Sequence, residues 1–164
     1  MTKTKRRFMR IVLRPQNATA SPVADVRART PRPSDAEQLA ALMLAAYRGT
    51  CDEQGETIDD ARLEVARLFE GEYGDLIPDC SEIVVRGSDL VAATLVTMWK
   101  GTPLLAFSMT HPACKRTGLA RAGIGRCMES LRNTGHDELR LVVTRGNTGA
   151  ERLYESLGFS DAEA

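Results

Sequence analysis

Two runs of residues between Thr110 and Phe159 have the types and spacing to handle an anion and to place a helix beside it. In the first, Lys115-Arg116-Thr117-Gly118-Leu119-Ala120 sets two cations and a glycine just before a helical pattern. Backbone N–H groups in the first turn of a helix lack partners within the helix, and its dipole favours negative charge there. Such a turn can hold phosphate. Gly118 lets the backbone approach closely and admits a positive φ, and Ala120 is small. Gly123-Ile124-Gly125 offers a second register, but Ala120 then falls where a cation or amide is needed, so we reject it. Close helix packing explains both glycines instead. In the second run, Asn147, Ala150, Tyr154, Gly158 and Phe159 follow one another at regular spacing. Asn147 alone reads as a helix N-cap, and Tyr154 alone as a core tyrosine beside Leu153 and Leu157.

The rest of the chain narrows the function classes. A length of 164 residues fits one domain plus a tail. A formal net charge of +0 argues against bulk nucleic-acid binding by the whole chain. No apolar run reaches membrane-spanning length, Leu39 to Ala46 being core material. Cys51, Cys80, Cys114 and Cys127 form no C-x-x-C pair and read as free thiols in a reducing, cytoplasmic setting. With only His111 and His136 present, a multi-histidine metal site is excluded and no metal is expected. Lys3, Lys5, Arg6, Arg7, Arg10 and Arg14 precede the first acid, Asp25. Residues 1–23 read as a basic, solvated extension and linker; a transit peptide or an anionic partner are the alternatives. Residues 24–164 make the domain.

The elements that position the two runs follow from periodicity and punctuation. Phe8 to Leu13 is apolar enough for a short strand, and Pro15 to Pro22 reads as linker. Val23 to Arg29 alternates as a half-buried strand. Ser34 caps a helix with Glu37 three residues on, carrying Leu39, Leu42, Met43 and Ala46 inward. Gly49 to Thr57 is an acidic loop, and Ile58 to Glu70 a second helix stopped by Gly71 and Gly74. Glu82 to Arg86, Leu90 to Trp99 and Leu104 to Thr110 form an antiparallel meander. Leu119 to Asn133 is a helix, Glu138 to Thr144 a strand and Gly149 to Ser156 a helix. Trp99 reads as a core residue at a strand end, with the wall of a binding site as the alternative.

With these elements in order, the chain resembles the GCN5-related N-acetyltransferase (GNAT) family. The family signature Arg/Gln-x-x-Gly-x-Gly/Ala appears as Lys115 to Ala120, with Lys where Arg or Gln is usual and so without a bidentate fork. The downstream Asn-x-x-Ala-x-x-x-Tyr-x-x-x-Gly-Phe runs without a gap from Asn147 to Phe159. The resemblance implies an α/β (α+β) fold, a mixed central sheet flanked by helices. It implies acetyl-CoA as co-substrate, direct attack by an amine-bearing acceptor and no covalent enzyme intermediate. The pyrophosphate would lie on Lys115, Arg116, Thr117, Gly118, Leu119 and Ala120. Asn147 would hold the cofactor arm or the last helix, and Tyr154 would protonate the departing thiolate. A backbone N–H at Met109 or Thr110 would contact the acyl oxygen, and a gap between that strand and Glu138 to Thr144 would admit the pantetheine arm. Cys114 stands beside the phosphates and is a poor nucleophile candidate. The loop Tyr47 to Glu56 would face the acceptor, where its carboxylates attract a cationic amine or are merely solvated. The general base is not assigned, with Glu82 and that loop as candidates.

The pattern breaks after Phe159, where the family continues with a further strand and this chain stops at Ala164. Phe8 to Arg14 is expected to cover the bare edge, within the subunit or across a homodimer. The rival to an enzyme is a non-catalytic acyl-CoA-binding or interaction module on the same fold.

Overall fold

The computed structural model describes residues 5–15 and 23–164, so most of the expected linker, and Lys3, lie outside the described residues. In chain order the elements are β1 (Arg6–Val12), β2 (Arg27–Arg29), α1 (Ala36–Tyr47), α2 (Ile58–Phe69), β3 (Asp75–Leu76) and β4 (Glu82–Arg86). They continue as β5 (Asp89–Trp99), β6 (Thr102–Thr110), α3 (Leu119–Asn133), β7 (Glu138–Thr144), α4 (Thr148–Leu157) and β8 (Ser160–Asp161).

One mixed sheet runs β2-β4-β5-β6-β7-β1-β8, with β3 paired to β5. Helices α1 and α2 close one face through Leu39, Leu42, Val65 and Leu68. On the other face Ile124, Met128 and Leu131 of α3 meet Met9, Leu139 and Leu141. Because both faces of β5 are covered, Leu90 to Thr97 is buried throughout and shows no alternation. The meander β4-β5-β6 is antiparallel as expected.

Two departures from regular pairing shape the molecule. First, β6 and β7 run parallel but pair only at Leu104 with Arg140 and Leu105 with Leu141. The β5–β6 register shifts between Leu95 and Val96, which leaves Ala106 out of the ladder. A bulge bends its strand and adds twist, so beyond Leu105 the two strands diverge. Second, β1 lies between β7 and β8 of the same chain, in register from Arg6 with Thr144 to Val12 with Glu138. It covers the expected bare edge within the subunit.

Several local expectations need correcting. Asp35, not Ser34, precedes α1; its carboxylate accepts from the Arg32 amide (2.7 Å) and from both terminal nitrogens of Arg29 (3.0 and 2.7 Å). Glu37 instead binds Arg62 of α2. A short-range Pro33–Asp35 turn occupies the position read as the helix start, because Pro33 suits a first turn and cannot donate. The strand expected from Val23 shrinks to Arg27–Arg29, since Asp25 at φ 63° breaks extended backbone. Trp99 is 41% exposed, its ring facing the Lys100 ammonium rather than the core.

The two α3 glycines separate. A Cβ on Gly123 would lie 2.6 Å from Thr94 Oγ1 and 2.9 Å from Glu82 Oε1, so close packing does explain it. At Gly125 a Cβ would meet nothing within 4 Å. Gly125→Ala is therefore expected to stabilise by about 0.5–1 kcal/mol through helix propensity, raising the melting temperature, while Gly123→Ala lowers it. Thermal melts of the two variants check this; equal shifts would contradict it.

Candidate active site

The divergence of β6 from β7 opens a cleft of about 580 Å³ that extends from the N-terminus of α3 to the middle of α4. Backbone conformation shapes the end at α3. Arg116 (φ 63°) and Gly118 (φ 84°) both take the left-handed region, which turns the chain abruptly into α3. Among the described residues, no backbone N–H from Arg116 to Arg121 has a hydrogen-bond partner. The first to find one is that of Ala122, on the Gly118 carbonyl at 3.0 Å. Successive free N–H groups in a sharp turn make an anion-binding concavity. No atom lies within 4 Å of a Cβ built on Gly118, so the space above it is open.

The cationic side chains sit around this concavity. Lys115, Arg116 and Arg121 line the cleft with Gly118, Leu119 and Ala120. Thr117 differs: its hydroxyl donates to the Cys114 carbonyl (2.6 Å) and the residue is not part of the cleft wall, leaving only its amide for an anion. Cys114 is buried at this end of the cleft, its Sγ 3.3 Å from Nη1 of Arg86.

The middle of the cleft is strand backbone. His111 donates to the Val91 carbonyl at 2.8 Å, and Met109 stands opposite Ala93. In an antiparallel ladder, hydrogen-bonded and open pairs alternate. The Met109 amide therefore faces β5, whereas the Ser108 and Thr110 amides face the side that β7 has left. Of the two expected donors, Thr110 is the one directed into the cleft. Met109 keeps its place in the wall, and its side chain is buried in the core.

At the far end stands Tyr154. Its ring packs edge-on against Phe159, with centroids 5.9 Å apart. It also lines the cleft, so it is a core residue and a cleft residue at once. Burial raises its pKa above the ordinary tyrosine value, and the adjacent Ser108 hydroxyl offsets only part of that. Tyr154 is therefore a protonated donor at neutral pH. Asn147 caps α4 by accepting from the Ala150 amide (3.4 Å), while its Nδ2 donates to Asp52 Oδ2 (3.1 Å).

The chain matches the Acetyltransferase (GNAT) family over residues 46–159. It belongs to that family. The mycothiol acetyltransferase of Thermobispora bispora is 47% identical over 49 residues, which cover 30% of this chain and 17% of that relative. Among solved structures, a GCN5-related N-acetyltransferase from Sphaerobacter thermophilus superposes with a TM-score of 0.74 at 19% identity, over 96% of this chain and 48% of that one. An aminoglycoside N-acetyltransferase solved with CoA gives 0.64 at 15% identity, over 85% and 90% respectively. The chain thus spans under half the length of the first of these structures and about a sixth of the curated relative. The structural likenesses establish the GNAT fold.

In this GNAT chain the acidic loop between α1 and α2 meets the cleft. A second cavity, of about 400 Å³, opens beside it and is lined by Asp52, Glu53, Glu56 and residues of both helices. Tyr47, the last residue of α1, belongs to both cavities. Glu82, the other base candidate, lies elsewhere: it is 8% exposed, receives Nε and Nη2 of Arg126 at 2.8 and 2.7 Å, and lines neither cavity. It ties α3 to the sheet. Among the described residues no group of His, Cys, Asp or Glu is arranged to hold a metal, and no helix is long and apolar enough to cross a membrane.

Sequence reasoning did not single out Ser108 or Arg121, and it named Tyr47 only as the start of the acceptor loop. Tyr47 lies four residues after Met43, on the inward stripe of α1, so its periodicity carried a signal. Ser108 had none, because the bulge at Ala106 changes which side chains of β6 share a face.

Proposed function

We propose that the protein transfers an acetyl group from acetyl-CoA to a primary amine by direct attack. The row of unpartnered N–H groups from Arg116 to Arg121, at one end of a cleft whose other end holds Tyr154, carries this reading. Acetyl-CoA supplies an activated thioester. The 116–121 amides and the side chains of Lys115, Arg116 and Arg121 bind its pyrophosphate. The Thr110 amide donates to the thioester oxygen as negative charge develops there. Asn147 holds the start of α4 and so the reach of Tyr154. As the amine nitrogen bonds to the carbonyl carbon and the C–S bond breaks, Tyr154 gives its proton to sulfur. The tyrosine recovers a proton from the new amide nitrogen, and the proton of the original ammonium leaves to solvent. Every side chain in this scheme lies within residues 24–164. Four free cysteines support a cytoplasmic setting. A non-catalytic acyl-CoA-binding module on the same fold has two grounds, an uncovered sheet edge and the lack of an assigned base; β1 covers the edge, and the second ground stands.

Thermal melts with acetyl-CoA, CoA and adenosine 3′,5′-bisphosphate test the site. A ligand at about 100 times its Kd adds roughly 2.7 kcal/mol, a rise of about 5–10 °C in a chain of this size. Release of free thiol on adding an amine then tests transfer. No shift with any of the three ligands would refute the phosphate cradle and the reading built on it.

A further inference from the structure

The cavity beside the cleft has a charge pattern and an idle hydroxyl that the transfer scheme does not use. Tyr47 packs against the core at its ring end, and its hydroxyl has no hydrogen-bond partner among the described residues. It lines both cavities, so it stands where the thioester end of one meets the other. Burial, then the neighbouring Tyr154, Asp52 and Glu64, hold its pKa well above the ordinary value, so it stays a neutral hydroxyl. Beside it Asp52 is half-buried, and its Oδ2 is held by Asn147 at 3.1 Å.

Of the five carboxylates that line the cavity, only Glu64 has an ion pair among the described residues. Glu37, Asp59 and Glu64 on the adjoining helices each have an arginine within 2.8 Å. Asp52, Glu53, Glu56 and Asp60, which line the cavity, form no ion pair among the described residues. Glu53 and Glu56 accept only backbone amides, from Gly49 (2.7 Å) and Gln54 (2.8 Å). Arg6 and Arg48 also line this space, and the four carboxylates outnumber them. The whole chain has a formal net charge of +0, so the excess is local. A concave site of one sign concentrates the opposite charge. Covering several carboxylates with a neutral tail would cost desolvation without return.

Resting on the acetyl-transfer reading, we propose that the acceptor is an amine with a second cationic centre. Its reactive nitrogen sits between the Tyr47 hydroxyl and the Asp52 carboxylate, and its second cation between Glu53 and Glu56. The Tyr47 oxygen and Asp52 accept hydrogen bonds from the ammonium. The far cation supplies binding and selects against monoamines and amino acids.

Three ligands of equal length separate the possibilities: 1,4-diaminobutane, n-butylamine and 4-aminobutanoate. Calorimetric titration of the full chain, free and CoA-loaded, is expected to give the diamine an affinity about tenfold above butylamine, with 4-aminobutanoate weakest. The double variant Glu53→Gln, Glu56→Gln removes that advantage and leaves the acetyl-CoA melting shift unchanged. Tyr47→Phe weakens the diamine and the monoamine alike. Butylamine binding as well as the diamine, no detectable diamine binding, or an advantage that survives the double variant, would overturn the proposal. Those results leave the acetyl-CoA shift in place, so they are distinct from failure of the transfer reading, in which that shift is absent.

Discussion

Tyr154→Phe is expected to lower kcat by about 100-fold or more while the melting shift with acetyl-CoA is retained. The ring packing against Phe159 survives the substitution, so the loss isolates the hydroxyl. Without it the thiolate departs unprotonated from a buried place. The pH profile adds a second readout. Free amine becomes more abundant as pH rises, so kcat/KM climbs with pH. Burial holds the Tyr154 pKa above its ordinary value of about 10, so the donor persists beyond that pH and any alkaline fall comes later. The Phe variant lacks that fall. A variant with wild-type kcat would remove Tyr154 from the mechanism and leave it a packing residue.

Deleting residues 1–14 is expected to cost the most stability of any change considered. Met9 is fully buried and Ile11 is 6% exposed, and both face Leu139, Leu141 and Phe159 in one cluster. Losing a large buried aliphatic side chain typically costs about 2–5 kcal/mol. Two such losses correspond to a fall of roughly 10–20 °C in melting temperature. The deletion also reaches the site. Arg7 Nη1 meets Glu155 at 2.7 Å and Glu151 at 3.3 Å on α4, while its Nε meets Asp161 at 2.6 Å. Helix α4 contains no fully buried residue, so it depends on such lateral ties. The acetyl-CoA shift should therefore shrink in the deletion, and a peptide of residues 5–15 supplied in trans should restore part of it. A melting temperature within 2 °C of the full chain would show that β1 is an ornament of the sheet. Met9→Ala, which keeps the strand and its ladder, separates core burial from pairing.

Much of this architecture was legible before any coordinates. Residues Leu119 to Asn133 and Glu138 to Thr144 form the expected helix and strand with the expected limits. In both, a strong apolar period ends at an unambiguous breaker. The turn into α3 was legible for the same local reason, since a glycine just before a helical pattern admits the positive φ that Gly118 takes there. Where short-range chemistry competes, the reading failed. Pro33 pre-empted the Ser34 cap, and Asp25 cut the strand from Val23. β3 and β8, two residues each, carry no period at all and exist only because a neighbouring strand offers them partners.

The chain alone thus determined the family-like order of elements, the glycine turn before α3 and the place of the tyrosine on the last helix, because each rests on neighbours within one turn or one strand. Only the tertiary structure decided which of the Met109 and Thr110 amides enters the cleft, since that depends on ladder alternation. It alone showed Glu82 bound to Arg126, and Asp52 held by Asn147 across 95 positions of chain. Packing brings such pairs together through the sheet and its bulge, and no local period records which distant side chain will arrive.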